Sequence, residues 1–265
     1  FYNTSVNASF GYKINKFNSI KFYSQLYDGE RHFSLFSSSE TRTKYKDFNT
    51  RNLLEWDAKK NAVTSNLKIA FLSEEYKYFG NINYDEFTYG KVATFMAKYS
   101  IAYHWNNKMT LNTVVDFNEN KGYGTSIPKV KRTIASGSLL FTHELSTVFN
   151  YEISVKKEAT ASYKSPILFS VGTNLAPVSY YNLKFNFSRN YRIPTYNDLY
   201  WEQLGNPNLK AESSYQGEIS NVFTFKKWRI SGTVYRSKIS DMIRWIPKGG
   251  GIINPENTAK VSIFG

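Results

Sequence analysis

The sequence predicts an all-β protein: a transmembrane, antiparallel up-and-down β-barrel of which about thirteen strands are present. Three observations predict it. Apolar residues recur with a period of two along most of the chain. Short and long connections alternate between the periodic segments. Aromatic residues make up 17% of the chain, as 21 Tyr, 20 Phe and 5 Trp, and many fall at segment ends, where a bilayer interface accommodates them.

The strand period is clearest from Tyr89 to Trp105. Tyr89, Lys91, Ala93, Phe95, Ala97, Tyr99, Ile101, Tyr103 and Trp105 make one side nearly all apolar, against a mixed and polar side of Gly90, Val92, Thr94, Met96, Lys98, Ser100, Ala102 and His104. A helix would space its apolar positions by three and four. Taken in order, Val6, Ala8, Phe10, Tyr12 and Ile14 oppose Ser5, Asn7, Ser9 and Lys13. Ile20, Phe22 and Leu26 follow, then Leu54 with Trp56, and Leu67, Ile69 and Phe71. Met109, Leu111, Val115 and Phe117 oppose Lys108, Asn112, Asp116 and Asn118. Leu139, Phe141 and Leu145 come next, then Phe149, Tyr151, Ile153 and Val155. Tyr181, Leu183, Phe185 and Phe187 oppose Asn182, Lys184, Asn186 and Ser188. Ile219, Phe223 and Phe225, then Trp228, Ile230 and Val234, complete the series.

The connections sort by length. Short turns are predicted near Asn15-Lys16, 59–61, Asn106-Asn107, Ser146, 176–179 and Lys226-Lys227. Long loops are predicted at 27–46, 80–88, 119–131, 189–211 and 246–257, with a brief link at 162–166. In an antiparallel meander this puts short turns at one end and long loops at the other, as in outer-membrane barrels. In lipid every backbone N–H and C=O must be paired within the protein, so strands cross only as a closed barrel. An odd strand count does not close, and Phe1 is not an initiator, so the expectation is a piece of a longer chain.

Composition narrows the function classes. No run approaches the roughly 18 apolar residues of a membrane helix, and mean hydropathy is −0.47. A barrel strand shows lipid only every second residue, so its average looks polar. Cysteine is absent, which suits an exported protein. The formal charge of +13 comes from cations spread singly over strands, turns and loops, without the dense patch of a nucleic-acid binder. Lumen walls and lipopolysaccharide-facing rims are the expected homes for these side chains. His32, His104 and His143 share no ligand spacing, and no nucleophile motif or P-loop occurs, so no metal site and no enzyme chemistry are predicted. The pairs Glu74-Glu75 and Asp85-Glu86 sit near the predicted outer rim. They read as a solvated rim, with a Ca2+ or ligand site in the outer loops as the sharper alternative.

One stretch carries a specific wording. Tyr191-Arg192-Ile193-Pro194-Thr195, then Asp198-Leu199-Tyr200, then Gly205-Asn206-Pro207-Asn208-Leu209-Lys210-Ala211-Glu212 resembles the signature of TonB-dependent outer-membrane receptors. Ile239-Ser240-Asp241-Met242-Ile243 and Asn257-Thr258-Ala259-Lys260 resemble its continuation. Tyr191, Asp198 and Ala211 depart mildly from the usual Phe, Glu and Pro. The wording covers residues 184–265; the rest agrees in architecture. The resemblance implies that residues 1–265 are part of one receptor barrel of about 22 strands, with a plug domain and further C-terminal strands outside this segment. It also implies import of a scarce nutrient such as cobalamin, haem or a ferric siderophore, driven through TonB and its inner-membrane complex. A surface lipoprotein is a partner if the receptor is of the glycan-importing kind. No cofactor is implied.

Within the signature, Arg192, Pro194, Thr195, Leu199, Gly205, Asn206, Pro207, Leu209 and Glu212 are expected to shape the loop. Tyr191, Tyr196, Tyr200 and Trp201 are the candidate ligand contacts, because aromatic faces suit a large, partly apolar ligand. Tyr84, Phe87 and Tyr123 on neighbouring loops, with Tyr78 beside them, are further candidates. The rival readings are a channel or adhesion barrel without energy coupling and a barrel enzyme, which would need a rim Ser/His or acid pair.

Overall fold

The computed structural model describes residues 1–33, 41–250 and 252–265. Part of the predicted 27–46 loop, residues 34–40, lies outside them. The described chain holds thirteen strands: β1 (Tyr2–Asn15), β2 (Asn18–His32), β3 (Lys44–Lys60), β4 (Val63–Phe79), β5 (Thr88–Asn106), β6 (Met109–Gly124), β7 (Ile127–Glu144), β8 (Phe149–Ala159), β9 (Ile167–Val178), β10 (Tyr181–Arg192), β11 (Glu212–Phe225), β12 (Trp228–Gly249) and β13 (Ile252–Phe264). One short helix, α1 (Tyr196–Tyr200), sits between β10 and β11. The strands form a single sheet in sequence order, each antiparallel to the next. Among the described strands β1 pairs only with β2 and β13 only with β12, so the sheet is an open part of a barrel.

Register explains the period of two. Ile20, Trp56, Leu67, Tyr99 and Val115 lie in one cross-strand row, and Phe22, Leu54, Ile69, Ala97 and Phe117 in another. These rows belong to one face of the sheet. On that face Phe10, Phe71, Phe95, Leu139, Ile219 and Ile230 are all exposed in the isolated chain. So large an uncovered apolar surface requires a hydrocarbon solvent.

The other face is polar and cross-linked. Lys21 pairs with Asp57 at 3.0 Å and Lys68 with Glu55 at 3.1 Å. Asn66 donates to both carboxylates, at 2.8 and 2.7 Å. Further along, Thr94 donates to Asn120 at 2.7 Å. This is the lumen face.

The connections require two corrections. One end carries only short turns, as predicted. At the other end, β4–β5 (residues 80–87), β8–β9 (160–166) and β10–β11 (193–211) are longer, but β6–β7 and β12–β13 are two-residue links at 125–126 and 250–251. The long loops predicted at 119–131 and 246–257 are strand instead. Above the bilayer both faces of a strand meet water, so the polar alternation that marks a lipid-crossing segment vanishes while the hydrogen-bond ladder continues. The run Glu119-Asn120-Lys121-Gly122 therefore reads as loop and pairs as strand.

Candidate functional site

The 193–211 connection does not project outward. It folds back across the lumen face and touches strands on both sides. Its start is a helix signal: Thr195 caps α1, its hydroxyl accepting from the Asp198 N–H at 3.2 Å while Asp198 Oδ2 accepts from the Thr195 N–H at 2.8 Å. Pro194 before it is fully buried. Gly205 ends the turn after α1. A Cβ there would lie 2.7 Å from the Trp201 nitrogen and 2.8 Å from the Leu199 oxygen, so only glycine lets the chain double back so closely.

Polar anchors hold both ends. Toward β6 and β7, the Tyr196 hydroxyl donates to the Asn120 carbonyl at 3.0 Å, and Arg132 Nη1 donates to the Pro194 carbonyl at 2.8 Å. Asn120 and Arg132 are register partners, so one rung of the sheet receives the loop. The Arg132 guanidinium also lies 4.9 Å from the centre of the Tyr196 ring. Burial pushes the Tyr196 phenol above its ordinary pKa, so it stays a proton donor at physiological pH. Tyr163, in the 160–166 link, is raised for the same reason and donates to the Leu209 carbonyl at 3.4 Å.

Toward β12 and β13, Trp245 Nε1 donates to Asp198 Oδ1 at 3.0 Å, and its ring meets Trp201 edge-on at 5.8 Å. Asn206 Nδ2 donates to the Pro255 carbonyl at 3.1 Å, and Asn254 Nδ2 donates to the Leu204 carbonyl at 2.9 Å. Asn257 accepts from the Lys210 N–H at 2.8 Å and donates to its carbonyl at 3.0 Å. Beneath this, Leu199, Leu209 and Ile243 form a small buried cluster. With Phe79, Pro194 and Pro255 they are the buried apolar side chains among the described residues, glycine apart. Arg192 and Glu212 join the ends of β10 and β11, where the loop begins and ends. They pair with each other through two 2.7 Å bonds, and Glu212 also accepts from the Ile243 N–H.

The candidate ligand contacts separate into groups. Tyr196 and Trp201 line a cavity of about 720 Å³ against the outer ends of β3 to β6, together with Tyr45, Tyr76 and Tyr78. Tyr123 borders it, edge-on to Tyr89 at 6.3 Å. Tyr200 faces a different recess with Arg132, Tyr163 and Leu209. Tyr191 pairs in register with Ser213 and lies on the outward side of β10 with Phe185 and Phe187. Tyr84 and Phe87 are exposed on the 80–87 loop, where Phe87 packs on Phe79. Sequence reasoning missed Tyr45 and Tyr76, which lie inside strands, and the anchors Arg132, Trp245 and Asn254. No local pattern marks residues whose partners lie 31 to 62 positions away.

Glu74 and Glu75, as consecutive strand residues, point to opposite faces. Glu74 pairs with Arg51 at 2.7 Å and Glu75 with Lys91 at 3.2 Å. They do not converge on a cation.

The family model for the TonB dependent receptor-like beta-barrel matches residues 1–265. The chain belongs to the TonB-dependent receptors. Receptors of this family reside in the outer membrane of Gram-negative bacteria and serve nutrient uptake. Among curated proteins it is similar to the vitamin B12 transporter BtuB of Vibrio vulnificus, 28% identical over 184 residues, which cover 66% of this chain and 30% of that protein. BtuB of Photobacterium profundum is 34% identical over 102 residues, 38% of this chain and 16% of that protein. Among solved structures it resembles the siderophore receptor PirA of Acinetobacter baumannii, with a TM-score of 0.83, 14% identity and coverage of 99% of this chain and 49% of that one. The FrpB iron transporter of Neisseria meningitidis gives a TM-score of 0.78 at 11% identity, covering 99% of this chain and 50% of that one. At such identity the structures establish the shared fold. The chain thus spans about half of these receptors, and its match spans under a third of the curated relatives.

Proposed function

We propose that this barrel forms the wall and outer vestibule of an importer that captures a large nutrient and admits it with energy delivered through TonB. The nutrient is a cobalamin, haem or ferric siderophore. A plug domain engaged by the inner-membrane complex moves to open the path, and the residues described here supply the binding wall without covalent chemistry. Outer-membrane lipid, lipopolysaccharide included, covers the apolar face.

One observation carries this reading. The signature loop is pinned across the lumen face and, with the outer ends of β3 to β6, frames an aromatic cavity open to the lumen. A passive channel gains nothing from a fixed aromatic recess there, whereas a receptor needs apolar faces to hold a bulky ligand. The two curated relatives are vitamin B12 transporters, so a corrinoid is the first ligand to test.

The test is growth rescue. The full-length gene is placed in a strain lacking its own receptors and supplied in turn with limiting cobalamin, haem or ferric siderophore. Rescue by one of these, and not by small sugars or amino acids, is expected. Rescue by small solutes of every kind would mean a channel.

A further inference from the structure

We propose that the cavity beneath the signature loop binds a large ligand that is electrically neutral and apolar-faced, of the corrinoid kind, and excludes polyanionic iron chelates. This rests on the importer reading above and narrows its ligand class.

The first argument is shape. Tyr45 stands between Tyr76 and Tyr78, with ring centres 5.7 and 4.8 Å away, and makes a continuous aromatic wall at the outer end of β3 and β4. Tyr196 and Trp201 face it from the loop, so the space is flanked by rings on two sides. Its volume of about 720 Å³ lies within the range of small-molecule sites. Tyr76 is held flat because β5 has glycine beneath it: a Cβ at Gly90 would lie 2.5 Å from the Tyr76 ring. The wall therefore offers apolar ring faces bordered by phenol hydroxyls, a surface for a large molecule with hydrogen-bonding edges.

The second argument is charge. Among the described residues that border the cavity, the carboxylates on the lumen face are Asp47 and Glu74; Glu75 and Lys91 pair with each other on the outward face. Each of these two lumen-face carboxylates already has a basic partner: Arg31 for Asp47 at 3.3 Å and Arg51 for Glu74 at 2.7 Å. No cation among the described lining residues faces the cavity, and the Arg132 guanidinium beyond them is turned to the Pro194 carbonyl. A polyanion entering here would meet two carboxylates and no cation in the lumen-facing lining, although the chain as a whole carries +13. A neutral ligand meets no such cost.

The experiment uses the purified full-length receptor with two probes, cyanocobalamin and ferric enterobactin, followed by protein fluorescence quenching at low and high salt. Cyanocobalamin is expected to bind with little salt dependence, and ferric enterobactin at least about tenfold more weakly. Tyr76→Ala with Tyr78→Ala should weaken cyanocobalamin about tenfold or more. Gly90→Val, which forces the Tyr76 ring into the cavity, should do the same by filling instead of emptying it. Asp47→Asn with Glu74→Gln frees two guanidinium groups and should strengthen ferric enterobactin in a salt-sensitive way. Heat-modifiable migration on gels verifies that each variant's barrel has formed. Tighter binding of ferric enterobactin by the unmodified receptor overturns the charge class. Cyanocobalamin binding indifferent to both the tyrosine and the glycine variants overturns the location. A receptor that binds neither probe, yet rescues growth on a listed nutrient, overturns this inference alone; failure of every rescue overturns the function beneath it.

Discussion

Replacing Asp198 with asparagine tests whether the signature loop is a fixed brace. The substitution keeps the shape and removes one acceptor. Asp198 is buried, and both its oxygens accept: Oδ1 from Trp245 Nε1 at 3.0 Å and Oδ2 from the Thr195 N–H at 2.8 Å. Arg192 stands 4.0 Å from the same carboxylate. An asparagine has one carbonyl oxygen, so its NH2 group must face one of the two donors. The loop loses one charge-assisted bond, and a donor is left against another donor. Trp245 is partly exposed and can recover some loss through water, so the cost is set near the low end, about 2–3 kcal/mol. That cost falls on the loop, because the strand ladders on either side are untouched. It converts to amide exchange about 30- to 150-fold faster across 195–206 than in the parent, with β10 and β11 unchanged. Hydrogen–deuterium exchange on the full-length receptor in detergent reads this directly. Unchanged exchange in 195–206 would refute the brace, as would equal acceleration throughout the barrel.

Three further outcomes follow from the same geometry. Glu212→Ala strands the Arg192 guanidinium and the Ile243 N–H together, so limited proteolysis should cut within 193–211 at rates at least about tenfold above the parent. Leu199→Ala opens a void against Leu209 and Ile243 and should cost about 2–5 kcal/mol locally, read as protease cleavage after α1 while the barrel stays heat-modifiable. Neighbours on β5 should differ sharply: Ala97→Arg, on the lipid face, should lower the free energy of folding into bilayers by about 2–4 kcal/mol, and Met96→Arg, on the lumen face, by less than about 1 kcal/mol.

The sequence discloses the strands where lipid enforces contrast. Along β5, Phe95, Ala97 and Tyr99 must be apolar while Lys98 and Ser100 need not be, and that difference is visible residue by residue. It fades above the bilayer, which is why 119–131 and 246–257 read as loops. The turn after β10 is legible in another way. Pro194, Gly205 and Pro207 mark a loop of defined shape, whereas α1 and the Thr195–Asp198 capping box that starts it are seen only in the structure. The loop's placement cannot be read either. Arg132, Asn120, Trp245 and Asn254 make it a brace through contacts across 47 to 76 positions, and none sits in a pattern of its own. The aromatic candidates show the same limit. Tyr191 and Tyr196 are five residues apart, yet the strand's parity sends one outward and the helix turns the other into the lumen. Tyr45 and Tyr76 look like ordinary interface aromatics until register brings them together.

The importer proposed above differs from a passive pore in that uptake through it is energised. The most direct measurement is the initial rate of labelled cyanocobalamin uptake by cells carrying the full-length receptor, compared between a strain with TonB and one without it. Accumulation above the external concentration with TonB, and only surface binding without it, is the predicted result. Equal uptake in both strains would contradict the claim and leave a passive pore.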